Sequence, residues 1–118
     1  MTDSQHPVGA AGRMAVVTLP GSIDVFSARR IGNELASVLA SGITTVIADM
    51  TATAFCDSSG ARTLVAACEQ AAANNIEMRL VVPYTFVLRA LALMGLDRQL
   101  PVYLTMDGAL AHGDYDRG

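Results

Sequence analysis

The run Thr44-Thr45-Val46-Ile47-Ala48-Asp49-Met50 leads through the loop Thr51–Cys56 and the junction Asp57-Ser58-Ser59-Gly60 into the alanine-rich segment Ala61–Ala73. This succession constrains the fold more than any other feature of the chain. β-Branched and apolar residues in a run of that length mark a covered strand, whereas the alanine-rich segment has the composition of a helix. A strand that feeds a helix through a short loop is an α/β unit. The first N–H groups of a helix lack intrahelical acceptors, so Asp or Ser at the junction caps it, and an anion placed there meets the positive end of the helix dipole. Asp57, Ser58 and Ser59 are all capping types. Two readings stand side by side: an N-cap and nothing more, or a hydroxyl displayed for chemistry or modification.

The rest of the chain repeats the same grammar. Met14–Leu19 reads as a strand stopped by the turn dipeptide Pro20-Gly21, and the chain restarts at Ser22-Ile23-Asp24. Ile31, Leu35, Val38 and Leu39 recur at helical spacing, with Arg29, Arg30, Asn33 and Glu34 on the other face, Asp24 or Ser27 as the cap and Ser41-Gly42 as the stop. Glu77–Val82 is a further strand closed by Pro83, followed by a helix from about Thr85 to Met94 that uses Val87, Leu88, Leu91 and Met94 and ends at Gly95. Pro101–Leu104 gives a last short strand and Asp107–Ala111 one helical turn. Residues 1–12, where only Val8 suggests an edge strand, and residues 112–118 read as mobile polar tails. The order β-β-α-β-α-β-α-β predicts a single α/β domain with a mostly parallel sheet of four to five strands and three to four helices. Sites in such sheets gather at the carboxyl ends of the strands. Asp24 and Ser58 both follow strands, which predicts that they share that edge and lie near each other.

Composition narrows the function classes. With 118 residues, 52% of them hydrophobic and 16% charged, the chain supports one core and folds as a lightly charged globule. The net charge is −3, every basic residue is Arg and no basic run occurs, which argues against nucleic acid and anionic membranes as partners. No leader pattern or membrane-length apolar run is present, so a cytoplasmic location is expected. Cys56 and Cys68 lack metal or redox spacing and read as two small buried hydrophobes. His6 and His112 lie far from any patterned element, which leaves a His-based catalytic dyad without support. No cofactor or metal is expected.

Three motifs together resemble the STAS family, and within it the single-domain anti-sigma factor antagonists of bacteria: Gly21-Ser22-Ile23-Asp24, the loop Asp57-Ser58-Ser59-Gly60, and the run Val87, Arg89, Leu91, Met94-Gly95-Leu96. The resemblance covers nearly the whole chain and implies a phosphoswitch. The unmodified protein would bind an anti-sigma factor that is also a serine kinase, and so free a sigma factor. Phosphorylation of the Ser directly after the motif Asp, here Ser58, would end binding, and a metal-dependent Ser/Thr phosphatase would restore it. The implied partner surface comprises Asp24, Asp57, Ser58, Ser59, Gly60 and Arg62. Ala61 stands where the family commonly has Leu, beside the expected phosphosite patch, and Ser22 stands where Glu is frequent. Ser59, nearer the helix body, is expected to have its hydroxyl engaged in capping.

Two rival classes fit less well. A small hydrolase with Ser58 as nucleophile lacks a Gly-x-Ser-x-Gly elbow and a patterned His, and a nucleotide- or phosphate-binding domain lacks a GxxxxGK[ST] or GxGxxG loop. An interaction module within another signalling assembly is the remaining alternative. The protein is expected not to be an enzyme.

Overall fold

Strands and helices alternate as β1 (Met14–Thr18), β2 (Ser22–Ile23), α1 (Ala28–Leu39), β3 (Thr45–Asp49), β4 (Phe55–Cys56), α2 (Ser58–Ala73), β5 (Glu77–Val81), α3 (Thr85–Leu93), β6 (Val102–Tyr103) and α4 (Met106–Asp116). The computed structural model describes residues 13–82, 85–95 and 100–116. Val8, with the rest of the expected N-terminal tail, as well as Pro83 and Leu96, lie outside them.

Strands β1, β3, β5 and β6 form a sheet in the order β1-β3-β5-β6, and each neighbouring pair is parallel. The mostly parallel α/β sheet expected from the alternation is therefore present. Its central strand β3 contributes Val46, Ile47 and Ala48, all fully buried, because both faces are covered. On one face Ala15, Val17, Val46, Ala48, Met78 and Leu80 pack with Ile31, Leu35 and Leu39 of α1 and Leu64, Ala67 and Ala71 of α2. The alternate residues Ile47 and Val81 face Ala109 of α4, with Met14, Tyr103 and Met106 around them.

Two elements depart from the sequence reading. The expected loop Thr51–Cys56 contains β4, which pairs in parallel with β2 as a separate two-stranded ribbon. The last helix runs from Met106 to Asp116 where one turn ending at Ala111 and a polar tail were expected. Its residues show almost no apolar periodicity, because its docking rests on the few side chains above and on Arg79. That guanidinium, buried in the sheet, donates to the Ala109 carbonyl at 2.6 Å and to Glu77 Oε2 at 3.0 Å.

The ribbon prolongs the sheet beyond its carboxyl edge. Leu19 N–H donates to the Asp49 carbonyl at 2.9 Å, which carries the pairing of β1 and β3 one residue past the strands. The chain then turns at Pro20-Gly21, and the buried Thr53 hydroxyl donates to the Pro20 carbonyl at 2.8 Å. Ala54 N–H donates to the Gly21 carbonyl at 2.8 Å and sets the register Ser22↔Phe55, Ile23↔Cys56. The residues that follow each ribbon strand, Asp24 and Asp57, consequently lie at one end of it.

Candidate functional site

Asp57 ends the ribbon in extended backbone, its N–H donating to the Ile23 carbonyl at 3.0 Å. Its side chain then turns into α2, where Oδ1 accepts from Gly60 N–H at 2.9 Å. The N-cap is thus Asp57. The helix begins at Ser58, three residues earlier than the alanine-rich segment suggested, and Ser58 and Ser59 occupy its first two positions.

Ser58 is exposed and Ser59 half-buried, and neither hydroxyl takes part in a hydrogen bond among the described residues. The expectation that Ser59 would cap the helix is corrected: one carboxylate already satisfies the available amide. Gly60, also on the expected partner surface, is buried. A Cβ there would run into the Ile23 carbonyl oxygen and approach the Ile23 carbonyl carbon to 2.9 Å, so the absence of a side chain lets α2 close on β2. Ala61 is fully buried in the core, which moves that departure from the family pattern away from the surface patch. Arg62, one turn after Ser58, is exposed.

Asp24 organises the second half of the site. Its Oδ1 accepts from Phe26 N–H at 3.0 Å and Ser27 N–H at 3.1 Å, while its own N–H donates to Ser27 Oγ at 3.0 Å. Ser27 Oγ in turn donates to the Ser22 carbonyl at 3.0 Å. Ser27 holds the N-cap position of α1 without a side-chain cap bond, so Asp24 fixes the turn before the helix rather than the helix itself. Sequence reasoning passed over what this turn carries: Val25 is 61% exposed and Phe26 92% exposed, and on β4 Phe55 is 45% exposed. Two adjacent apolar residues between a turn-forming Asp and the Ser that precedes the helix are the signal that could have marked them.

The thiol of Cys56 is raised from 9.0 to about 11, chiefly by burial and secondarily by the charge of Asp57. Cys68 is raised to about 11 by burial and then by Glu69; where a buried hydrophobe was expected it is half-buried, packed against the core. Both thiols are protonated at neutral pH, unsuited to nucleophilic or metal-binding work. No group of three His, Cys, Asp or Glu side chains converges among the described residues, and no described helix is long and apolar enough to cross a membrane.

A family model described as the STAS domain matches residues 7–109. The chain belongs to the STAS family. This STAS domain is similar to the anti-sigma-F factor antagonist RsfB of Mycobacterium tuberculosis, with 28% identity over 82% of this chain and 79% of the relative. It is also similar to the crystal structure of an anti-sigma factor antagonist from Mycobacterium paratuberculosis, with a TM-score of 0.76, 28% identity and 84% of each chain covered. The unphosphorylated form of the anti-sigma factor antagonist SpoIIAA shares the fold at a TM-score of 0.70, with 20% identity over 86% of this chain and 88% of that one.

Proposed function

We propose that this STAS domain is an anti-sigma factor antagonist whose unphosphorylated form binds an anti-sigma factor that is also a serine kinase, and so releases a sigma factor. Phosphorylation of Ser58 ends that binding, and a Ser/Thr phosphatase reverses it. The protein acts by binding, with no reaction of its own. The observation that carries the reading is the exposed Ser58 hydroxyl, standing free at the first position of α2 directly after the capping Asp57, in a chain 28% identical to RsfB. Asp24, Asp57, Ser59 and Arg62 surround it as partner contacts, and Gly60 supports them from below by seating the helix on Ile23.

Charge explains why modification would act as a switch. A phosphoserine adds about −1.5 to −2 charges at neutral pH and a bulky hydrated group. At the start of a helix the dipole stabilises that charge in the free protein, whereas an interface closing over it would have to strip its water. The fold tolerates the group and the interface does not.

The test is incubation with the cognate kinase and ATP, followed by peptide mapping and titration against the anti-sigma factor. Phosphate is expected on Ser58, with loss of binding. Ser58→Ala should bind and resist switching off, and Ser58→Asp should weaken binding in part. Phosphate on Ser59, or a phosphorylated form that binds as tightly as the unmodified one, would overturn the assignment.

A further inference from the structure

Resting on the antagonist reading above, we infer that Phe26, with Val25 beside it, is the apolar anchor that enters the anti-sigma factor. Phe26 is 92% exposed and Val25 61% exposed, so neither side chain serves this protein's own core. The turn that carries them is nevertheless tightly held. Asp24 Oδ1 receives the N–H groups of Phe26 and Ser27 at 3.0 and 3.1 Å, Ser27 Oγ receives the Asp24 N–H at 3.0 Å, and the same hydroxyl donates to the Ser22 carbonyl at 3.0 Å. A backbone fixed in this way leaves only the side chain's own rotamers to be ordered on binding, which is how a preorganised turn contributes affinity.

Position commits the anchor to one partner. Ile23, three residues before Phe26, accepts from Asp57 N–H at 3.0 Å and packs beneath Gly60 in the first turn of α2. Phe26 therefore stands within roughly 11 Å of backbone contour from the strand residue that seats Ser58's helix. Phe55, 45% exposed and paired with Ser22, is a further exposed apolar side chain on the ribbon. Aromatic side chains ringed by polar groups are the usual make-up of a binding hot spot. Asp24 holds the turn that carries Phe26, and Asp57 and Ser58 follow the paired strand at the same end of the ribbon, so on this inference a phosphate on Ser58 would sit beside the apolar contact and prevent its closure. The surface that binds and the residue that switches binding off are thereby continuous. Leu93 on α3 is 84% exposed but belongs to neither ribbon strand nor the Asp24 turn, and it serves as the internal control.

The experiment takes the anti-sigma factor that copurifies with the wild-type chain, identified by mass spectrometry, and titrates it calorimetrically with wild type, Phe26→Ala, Leu93→Ala and Ser58→Asp. Thermal melts verify folding, and sedimentation reports self-association. Phe26→Ala is expected to melt like wild type and to bind about thirtyfold more weakly, equivalent to about 2 kcal/mol, while Leu93→Ala binds as wild type. If Phe26→Ala binds as tightly as wild type while Ser58→Asp is weakened, the anchor is elsewhere and only the antagonist reading survives. Self-association of the wild type that Phe26→Ala abolishes, with anti-sigma affinity unchanged, would assign the patch to a second copy of the chain and overturn the inference. Failure of any anti-sigma factor to bind the wild type would remove the antagonist reading itself, and the inference with it.

Discussion

Gly60 is the residue at which the site and the core meet. Its hydrogen occupies the only space left between α2 and the Ile23 carbonyl, and a methyl group there must push apart two backbones rather than a flexible side chain. Gly60→Ala is therefore expected to lose about 1–3 kcal/mol in urea unfolding and to disturb Ser58 by tilting its helix. Asp57→Ala removes the bond from Gly60 N–H at 2.9 Å and should cost about 1 kcal/mol. The two thiols set a pH dependence. Cys56 and Cys68 hold their protons more tightly in the folded protein, at about 11, than at the ordinary value of 9.0. The sign follows: their contribution to stability is complete below pH 9 and is lost as pH rises toward about 11, because the unfolded chain ionises first. Melting temperatures between pH 8 and 11 should fall more steeply for wild type than for the Cys56→Ala, Cys68→Ala double variant. Parallel curves would contradict it.

Among the elements, α4 depends on Arg79 and a few buried side chains more than on its own pattern. In β5, Glu77, Arg79 and Val81 alternate onto one face of the strand. The longer α4 covers that face, and Arg79 reaches the Ala109 carbonyl across it. Arg79→Ala leaves a void and removes the additional bond to the Ala109 carbonyl, an expected loss of about 1–3 kcal/mol. Glu77 is 49% exposed and stays solvated, so no isolated buried charge is created. Hydrogen exchange should accelerate in α4 before α1 and α2, which pack on the opposite face. Uniform acceleration through all helices would show that α4 is not held separately. Helix α1 gives the contrasting case: its stripe of Ile31, Leu35 and Leu39 was plain in the sequence and is buried as read, because a 3.6-residue period is a local property.

For the molecule as a whole, the main prediction is that modification changes affinity without changing the fold. Phosphorylated protein should unfold in urea within about 1 kcal/mol of the unmodified form, since charge at a helix N-terminus stabilises by no more than that on an exposed surface. A loss of several kcal/mol would mean that Ser58 supports packing and would remove it as a local switch.

The strand and helix periodicities, the turns at Pro20-Gly21 and Gly95, and the three short motifs were legible because each depends on residues within a few positions of one another. They determined the α/β class, the parallel sheet and the location of Asp24 and Ser58 after strands. The sequence could not show that β2 and β4 leave the main sheet to form their own ribbon, because strands of two residues have no period and exist only through pairing between segments 33 positions apart, Ser22 with Phe55. Tertiary structure alone decided that Gly60 and Ala61 face the core while Val25 and Phe26 face solvent. Exposure is set by which distant backbone lies opposite, and here Ile23 closes one side of the junction and leaves the other open.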